Sequence, residues 1–189
     1  AYNKSAEGRL QWRRTLTKFG IDKKTGVEIE GEKEPYIKDP IKDDKKWYGT
    51  TVPWMAHGYE FLMSPLQILT FYNGVANGGR TMRPYLVSEI KGENGKNKKF
   101  EPRILVDQLA RPENILKAKE MLEEVVLTGT ATNIKSDYIK IAGKTGTTRV
   151  NYSNKEEYAK YNASFCGYFP ADNPQYSMII VLYEPKGVF

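Results

Sequence analysis

Residues 58–87 read GYEFLMSPLQILTFYNGVANGGRTMRPYLV, and this stretch contains a helix with a signal at each of its ends. Ser64-Pro65 predicts the start, because serine can accept hydrogen bonds from the first N–H groups of a helix and proline fits its first turn. The residues that follow, up to Ala76, are nearly all apolar, which indicates a helix buried on most sides. Asn77-Gly78-Gly79 predicts its end, and residues 83–90 alternate as a strand does.

Outward from this stretch, similar signals predict two more helices and four more strands. The helices lie over residues 8–19 and from Arg111 to near Gly129, and Gly92 to Gly95 forms a hairpin turn. The strands lie over residues 98–106, 139–142, 163–169 and 176–183. Two connections are irregular: a long one up to about Thr51, and a polar excursion over residues 148–162. Segregated helices and strands predict an α+β fold, with helices packed on an antiparallel sheet.

The composition excludes several classes of function. The chain has 189 residues, 40% of them hydrophobic, and a net charge of +6. Its lysine runs are not interleaved with aromatic residues, so we predict no nucleic-acid partner. The single cysteine, Cys166, and the single histidine, His57, exclude a disulfide within the chain and a Cys/His zinc site. No apolar run reaches eighteen residues. We predict neither a metal nor a cofactor.

Residues 141–148 read IAGKTGTT and contain the strongest candidate site. A phosphate-binding loop would need a glycine where Tyr138 stands, so that interpretation fails. On a strand, Lys144 and Gly146 would share one face, while Thr145 and Thr147 would lie on the other or at the edge. An ammonium and two hydroxyls there could hold a carboxylate, and backbone N–H groups could stabilise an oxyanion. The alternative is an ordinary strand entering a glycine turn, with Lys144 in solvent.

The surroundings of this motif favour the carboxylate site. Lys-Thr-Gly is the third signature of the penicillin-recognising serine acyltransferases. The stretch at 58–87 closely resembles class B penicillin-binding proteins, and the order of the other similar segments also agrees. Those segments are FGIDKKTGVEIEGE at 19–32, VLTGTA at 126–131, NASFCGYFP at 162–170 and YSMIIVLYEP at 176–185. GTTVPWMAHGYEF at 49–61 is most similar to the division-specific, septal transpeptidases.

The resemblance implies a peptidoglycan D,D-transpeptidase with the serine β-lactamase-like fold. In such an enzyme, Lys144 and the hydroxyls of Thr145 and Thr147 would hold the terminal carboxylate of a D-Ala–D-Ala stem peptide or of a β-lactam. The Thr147 N–H would form half of the oxyanion hole, and Gly146 would let the substrate lie against the strand. The implied partners are stem peptides, β-lactams and membrane proteins of the division machinery. The implied location is the periplasmic face of the inner membrane, with an N-terminal helix as the anchor.

The attacking serine is not found in this chain. The one S-x-x-K match, Ser88 to Lys91, ends a predicted strand, whereas the chemistry needs both residues one turn apart on a helix. No S-x-N motif occurs. The resemblance places both motifs before Ala1 and the closing helix of the domain after Phe189. Residues 1–189 would then be the C-terminal part of an incomplete transpeptidase domain, inactive alone. We expect structural roles for His57 and Cys166.

Two alternatives stay open at this point. The chain could belong to a non-catalytic scaffold or binding module that keeps the carboxylate site without the serine. It could also belong to a serine β-lactamase or a D,D-carboxypeptidase, although the segment at 58–87 argues against these. An S-x-x-K motif encoded upstream of Ala1 would support an enzyme, and its absence would exclude one.

Overall fold

A computed structural model describes residues 5–92, 95–150 and 160–186. The chain divides into two compact units, each with its own internal contacts. The first lies within Ala1–Phe71 and Arg80–Leu109, and the second within Tyr72–Gly79 and Ala110–Phe189. None of the helices in the described ranges combines the length and the apolar character needed to cross a membrane.

The first unit contains two complete helices, three short antiparallel strand pairs and an apolar core. The helices are α1 (Ala6–Lys18) and α2 (Thr51–Ala56), with a 3-10 turn at Asp44–Lys46 between them. The pairs are β1 (Tyr36–Ile37) with β2 (Phe61–Leu62), β3 (Thr81–Met82) with β6 (Ile104–Val106), and β4 (Glu89–Ile90) with β5 (Lys98–Lys99). The core consists of Leu16, Ile37, Trp47 and Met55. The prediction for residues 8–19 is confirmed, although α1 begins two residues earlier, where Ser5 Oγ accepts the Gly8 N–H at 3.0 Å.

Helix α3 (Pro65–Ala76) has the boundaries that the sequence predicts. Its start is a capping box: Gln67 N donates to Ser64 Oγ at 3.2 Å, and Ser64 N donates to Gln67 Oε1 at 2.9 Å. Its end is followed by Gly78 and Gly79, both with positive φ. Every residue from 66 to 76 is buried or half-buried, as predicted.

The second unit is a three-stranded antiparallel sheet with a long helix packed on it. The helix is α4 (Pro112–Leu127), followed by a 3-10 turn at Thr132–Ile134. The strands are β7 (Ala142–Val150), β8 (Lys160–Phe169) and β9 (Tyr176–Tyr183), in the order β7-β8-β9. Ala76, Ala142, Tyr168 and Ala171 form the core, with Leu122 of α4 against it. The predicted α+β fold with an antiparallel sheet is confirmed.

Several predicted strand boundaries are wrong. Residues 83–90 and 98–106 are not continuous strands; only the short segments β4, β5 and β6 are paired. Pro84 and Pro102 explain the interruptions, because proline has no N–H to give to a ladder. The strand predicted at 139–142 begins at its last residue, since the Lys140 carbonyl accepts the Ala171 N–H instead. Helix α2 was not predicted. Of the polar excursion at 148–162, the ends belong to β7 and β8, and residues 151–159 lie outside the described residues.

Candidate active site

The K-T-G motif lies near the start of β7, on the outer strand of the three-stranded sheet. Within the described ranges β7 pairs with β8 alone, so its other edge can receive an extended ligand. Lys144 lies opposite Cys166, and Thr145 lies opposite Phe165. Lys144 and Thr147 are exposed, while Thr145 and Gly146 are half-buried. The sequence therefore placed the motif correctly on a strand at a sheet edge.

Lys144 and Thr145 alternate along the strand, but their polar atoms meet. Lys144 Nζ donates to Thr145 Oγ1 and to the Thr145 carbonyl, both at 3.1 Å. A third group joins them, because Thr130 Oγ1 lies 2.8 Å from Thr145 Oγ1. One cation and two hydroxyls thus form a short hydrogen-bonded chain at the strand edge. Such a group suits an incoming carboxylate, since charge-assisted hydrogen bonds are about twice as strong as neutral ones.

Gly146 and Thr147 continue the strand beyond this chain. A Cβ atom on Gly146 would lie 2.7 Å from Ser164 Oγ, and Ser164 Oγ itself donates to the Gly146 carbonyl at 3.4 Å. Glycine at this position therefore permits the close pairing of β7 with Ser164 of β8. The Thr147 side chain is exposed. The roles of Thr147 in an oxyanion hole and of Gly146 in substrate approach stay predictions.

Thr145 also borders an apolar cavity of about 300 Å³ within the second unit. Its walls come mainly from the sheet face that carries Thr145, with contributions from the segment after α4. Most of the lining side chains are large and apolar: Ile134, Ile141, Phe165, Phe169, Met178 and Ile180. The hydroxyl of Thr145 therefore lies where a polar strand edge meets an apolar surface.

The other side chains considered in the sequence analysis, those of Ser88, Lys91, His57 and Cys166, lie in surroundings that suit structural roles. The Ser88–Lys91 segment contains strand β4, so its serine and lysine are not one helical turn apart. His57 follows α2 and packs against the rings of Trp54 and Tyr59, with centroids 6.1 and 5.4 Å away. Cys166 is buried, and burial raises the pKa of its thiol to about 12. A neutral buried thiol is a poor nucleophile.

Thr130 is the site residue that sequence reasoning missed. VLTGTA at 126–131 contributed only to the resemblance, and no role was given to its threonine. The one local signal was a polar residue between Gly129 and Ala131, in a position where the chain has to turn. Among the described residues, no group of three or more His, Cys, Asp or Glu side chains could hold a metal ion.

Comparison with known proteins identifies similar domains. The family model for the penicillin binding protein transpeptidase domain matches residues 4–188. Stage V sporulation protein D of Bacillus subtilis is 28% identical over 170 residues, which cover 89% of this chain and 26% of that protein. The peptidoglycan D,D-transpeptidase FtsI of Buchnera aphidicola is 27% identical over 173 residues, covering 90% of this chain and 28% of that protein.

A solved structure shows the same fold. Penicillin binding protein 3 of Mycobacterium tuberculosis, in complex with ampicillin, matches with a TM-score of 0.78 and 26% identity. The match covers 92% of this chain and 39% of that one. The chain thus spans about a quarter of the length of the two curated relatives.

Proposed function

The chain belongs to the penicillin-binding protein transpeptidase family, and on that premise we propose that it forms part of a class B peptidoglycan D,D-transpeptidase. In the proposed reaction a serine Oγ attacks the penultimate D-alanine carbonyl of a stem peptide. The serine forms an ester, and the peptide bond to the terminal D-alanine breaks, with its nitrogen taking up a proton. An amine of a neighbouring stem then attacks the ester, forms the cross-link and releases the serine.

The observation that carries the proposal is the hydrogen-bonded chain of Lys144, Thr145 and Thr130 at the edge of β7. In our proposal Lys144, Thr145 and Thr147 hold the terminal carboxylate of the stem peptide. The substrate extends along the strand over Gly146, and the Thr147 N–H donates to the oxyanion. A β-lactam with a carboxylate would occupy the same position in this proposal; the similar penicillin binding protein 3 of M. tuberculosis was solved in complex with ampicillin.

The attacking serine belongs, in this proposal, to an S-x-x-K helix outside residues 1–189. The segment at 49–61 supports a septal role, with membrane proteins of the division machinery as partners. The reaction would then occur at the periplasmic face of the inner membrane. Depletion of the full-length protein should produce filaments without septa; continued septation would contradict the septal role alone.

Labelling of the full-length protein with a fluorescent penicillin tests the proposal. Lys144→Ala should slow acylation about 10- to 100-fold, because hydrogen bonds to charged groups contribute roughly 1.5–3 kcal/mol. Lys140→Ala is the matched control: this lysine is four residues away, its side chain is exposed, and it pairs with the half-buried Glu123. A circular dichroism spectrum establishes that each variant is folded. Unchanged labelling of Lys144→Ala would remove Lys144 from the site.

The isolated chain gives a second test. If the serine lies outside residues 1–189, this chain should not form a covalent adduct with the fluorescent penicillin. A labelled band on a denaturing gel would show that a nucleophile within the chain reacts. Absence of labelling in the full-length protein as well would favour the non-catalytic binding module.

A further inference from the structure

The turn that carries Thr130 is fixed on both sides of that residue. Thr128 N and Gly129 N both donate to the Glu124 carbonyl, at 2.9 and 3.0 Å, and so close the end of α4. A Cβ atom on Gly129 would lie 2.9 Å from Val125 Cα, so the turn depends on glycine. Ala131 N donates to the Val125 carbonyl at 3.0 Å, and the residue as a whole is only 1% exposed. The backbone of Thr130 therefore has little freedom.

Thr130 itself is exposed, and its hydroxyl lies 2.8 Å from that of Thr145, fifteen residues further along the chain. Because Thr130 is exposed, burial of apolar surface does little to hold its side chain in place, and its hydroxyl could form hydrogen bonds with water instead. The turn instead presents this hydroxyl to the residue that also accepts a hydrogen bond from Lys144. The contact thus joins the end of α4 to the candidate carboxylate site.

Either hydroxyl can donate in the contact between Thr130 and Thr145, and the choice decides what the Thr145 hydrogen is free to do. A hydroxyl has one hydrogen to donate and two lone pairs with which to accept. The Lys144 ammonium can only donate, so it occupies one lone pair of Thr145 Oγ1. If Thr130 donates to the second lone pair, the hydroxyl hydrogen of Thr145 is left to donate elsewhere. A carboxylate, which only accepts, is the complementary ligand.

We propose that Thr130 is a positioning residue: its hydroxyl donates to Thr145 Oγ1 and thereby orients the Thr145 hydrogen toward the substrate carboxylate. This inference rests on the proposed function, and it deepens the description of the same site. Thr130 acts through Thr145 and does not touch the substrate. The effect depends on the charge of the ligand, because only an anionic group at that position uses the oriented hydrogen.

The test compares two forms of one penicillin in the full-length protein: the free carboxylate and its methyl ester. Thr130→Val removes the hydroxyl and keeps the β-branched shape. It should slow acylation by the carboxylate form about 3- to 10-fold, the range for one neutral hydrogen bond, and should leave the slower ester rate unchanged. Thr130→Ser should restore the carboxylate rate. Thr128→Val is the matched control, since the Thr128 hydroxyl bonds to Glu124 instead.

Each outcome decides the inference. If Thr130→Val slows acylation by the acid and by the ester equally, Thr130 only holds the turn in place, and the inference is wrong. If neither rate changes, the contact does not affect acylation, and the inference is also wrong. If Thr130→Val does not fold, Thr130→Ala provides the same comparison. In a protein that already carries Thr145→Ala, the substitution at Thr130 should no longer change the acylation rate. Wild-type protein that is not acylated at all would refute the proposed function instead, which separates the two failures.

Discussion

Gly143 and Gly167 lie directly opposite each other across β7 and β8, and neither position has room for a Cβ atom. A Cβ on Gly143 would lie 2.7 Å from the Cys166 carbonyl oxygen and 2.9 Å from Gly167 Cα. A Cβ on Gly167 would lie 2.9 Å from Phe165 Cε1 and 3.0 Å from Gly143 Cα, and would also meet the Ala142 carbonyl oxygen. The two glycines therefore set the spacing of the strands immediately before Lys144.

Gly167→Ala tests this relationship. The added methyl group meets mainly backbone, so we expect the free energy of unfolding to fall by about 1–3 kcal/mol or more, as for other overpacked sites. Acylation of the full-length protein should fall as well, because displacement of β7 moves Lys144 and Thr145. Thermal unfolding and penicillin labelling measure the two effects. Gly49→Ala is the control: its Cβ meets nothing within 4 Å, so a comparable loss there would contradict the steric explanation.

Removal of one partner from the ion pair between Lys38 and Glu60 should destabilise the first unit. Lys38 Nζ lies 2.8 Å from Glu60 Oε2, and the two side chains are 8% and 23% exposed. Lys38→Met leaves the Glu60 carboxylate without its cation, and the free energy of unfolding should fall by about 3 kcal/mol, the lower end for broken buried pairs. Chemical denaturation measures it. Glu7→Gln, which removes a highly exposed pair with Arg14, should cost less than about 1 kcal/mol; equal costs would refute the role of burial.

Glu32 should make stability depend on pH in the acid range. Burial raises the pKa of this carboxyl, but hydrogen bonds from Thr25, Gly26 and Gln67 outweigh it, and the net pKa lies below the usual 4.5. The carboxylate thus stabilises the fold fully above about pH 4.5, and this stabilisation is lost as pH falls through the lowered pKa. Glu32→Gln should cost about 1–2 kcal/mol at pH 7, and the difference from wild type should shrink below pH 4.5.

The comparison with Glu32→Gln is necessary because Asp39 also makes stability depend on pH in the acid range. Burial raises the pKa of Asp39, but hydrogen bonds from the backbone N–H groups of Lys42 and Ile41, with the nearby charges of Arg13 and Lys42, lower it overall. Subtraction of the two denaturation curves removes that common contribution. If the difference in the free energy of unfolding between wild type and Glu32→Gln stays constant from pH 7 to pH 3, the assignment to Glu32 is wrong.

Cys166 should resist thiol reagents in the folded protein. Its pKa of about 12 leaves almost no thiolate at neutral pH, and the residue is buried within β8. Titration with a chromogenic disulfide should therefore give no reaction in native buffer and one thiol per chain in denaturant. Fast reaction in native buffer would show that β8 opens. Cys166→Ala should leave penicillin labelling of the full-length protein unchanged.

Local patterns in the sequence predict those structural features that depend on residues close together along the chain. Ser64, Pro65 and the glycines after Ala76 determine both ends of α3 within a few residues, so its boundaries could be read directly. The strands near Pro84 and Pro102 were overestimated, because alternation suggested ladders that the missing N–H groups prevent. The contact of Thr130 with Thr145 joins residues from different elements, and no short pattern encodes the angle of the turn that brings them together.

The side-chain amide of Gln67 connects the first turn of α3 with the loop at 25–33. Its oxygen accepts the Ser64 N–H, while its nitrogen donates to Glu32 Oε1 at 3.2 Å and to the Lys33 carbonyl at 2.9 Å. Glu32 in turn accepts the N–H groups of Thr25 and Gly26. One planar group therefore couples nucleation of α3 to closure of the loop at 25–33. The loop amides and the first turn of the helix should exchange their hydrogens as a single cooperative unit.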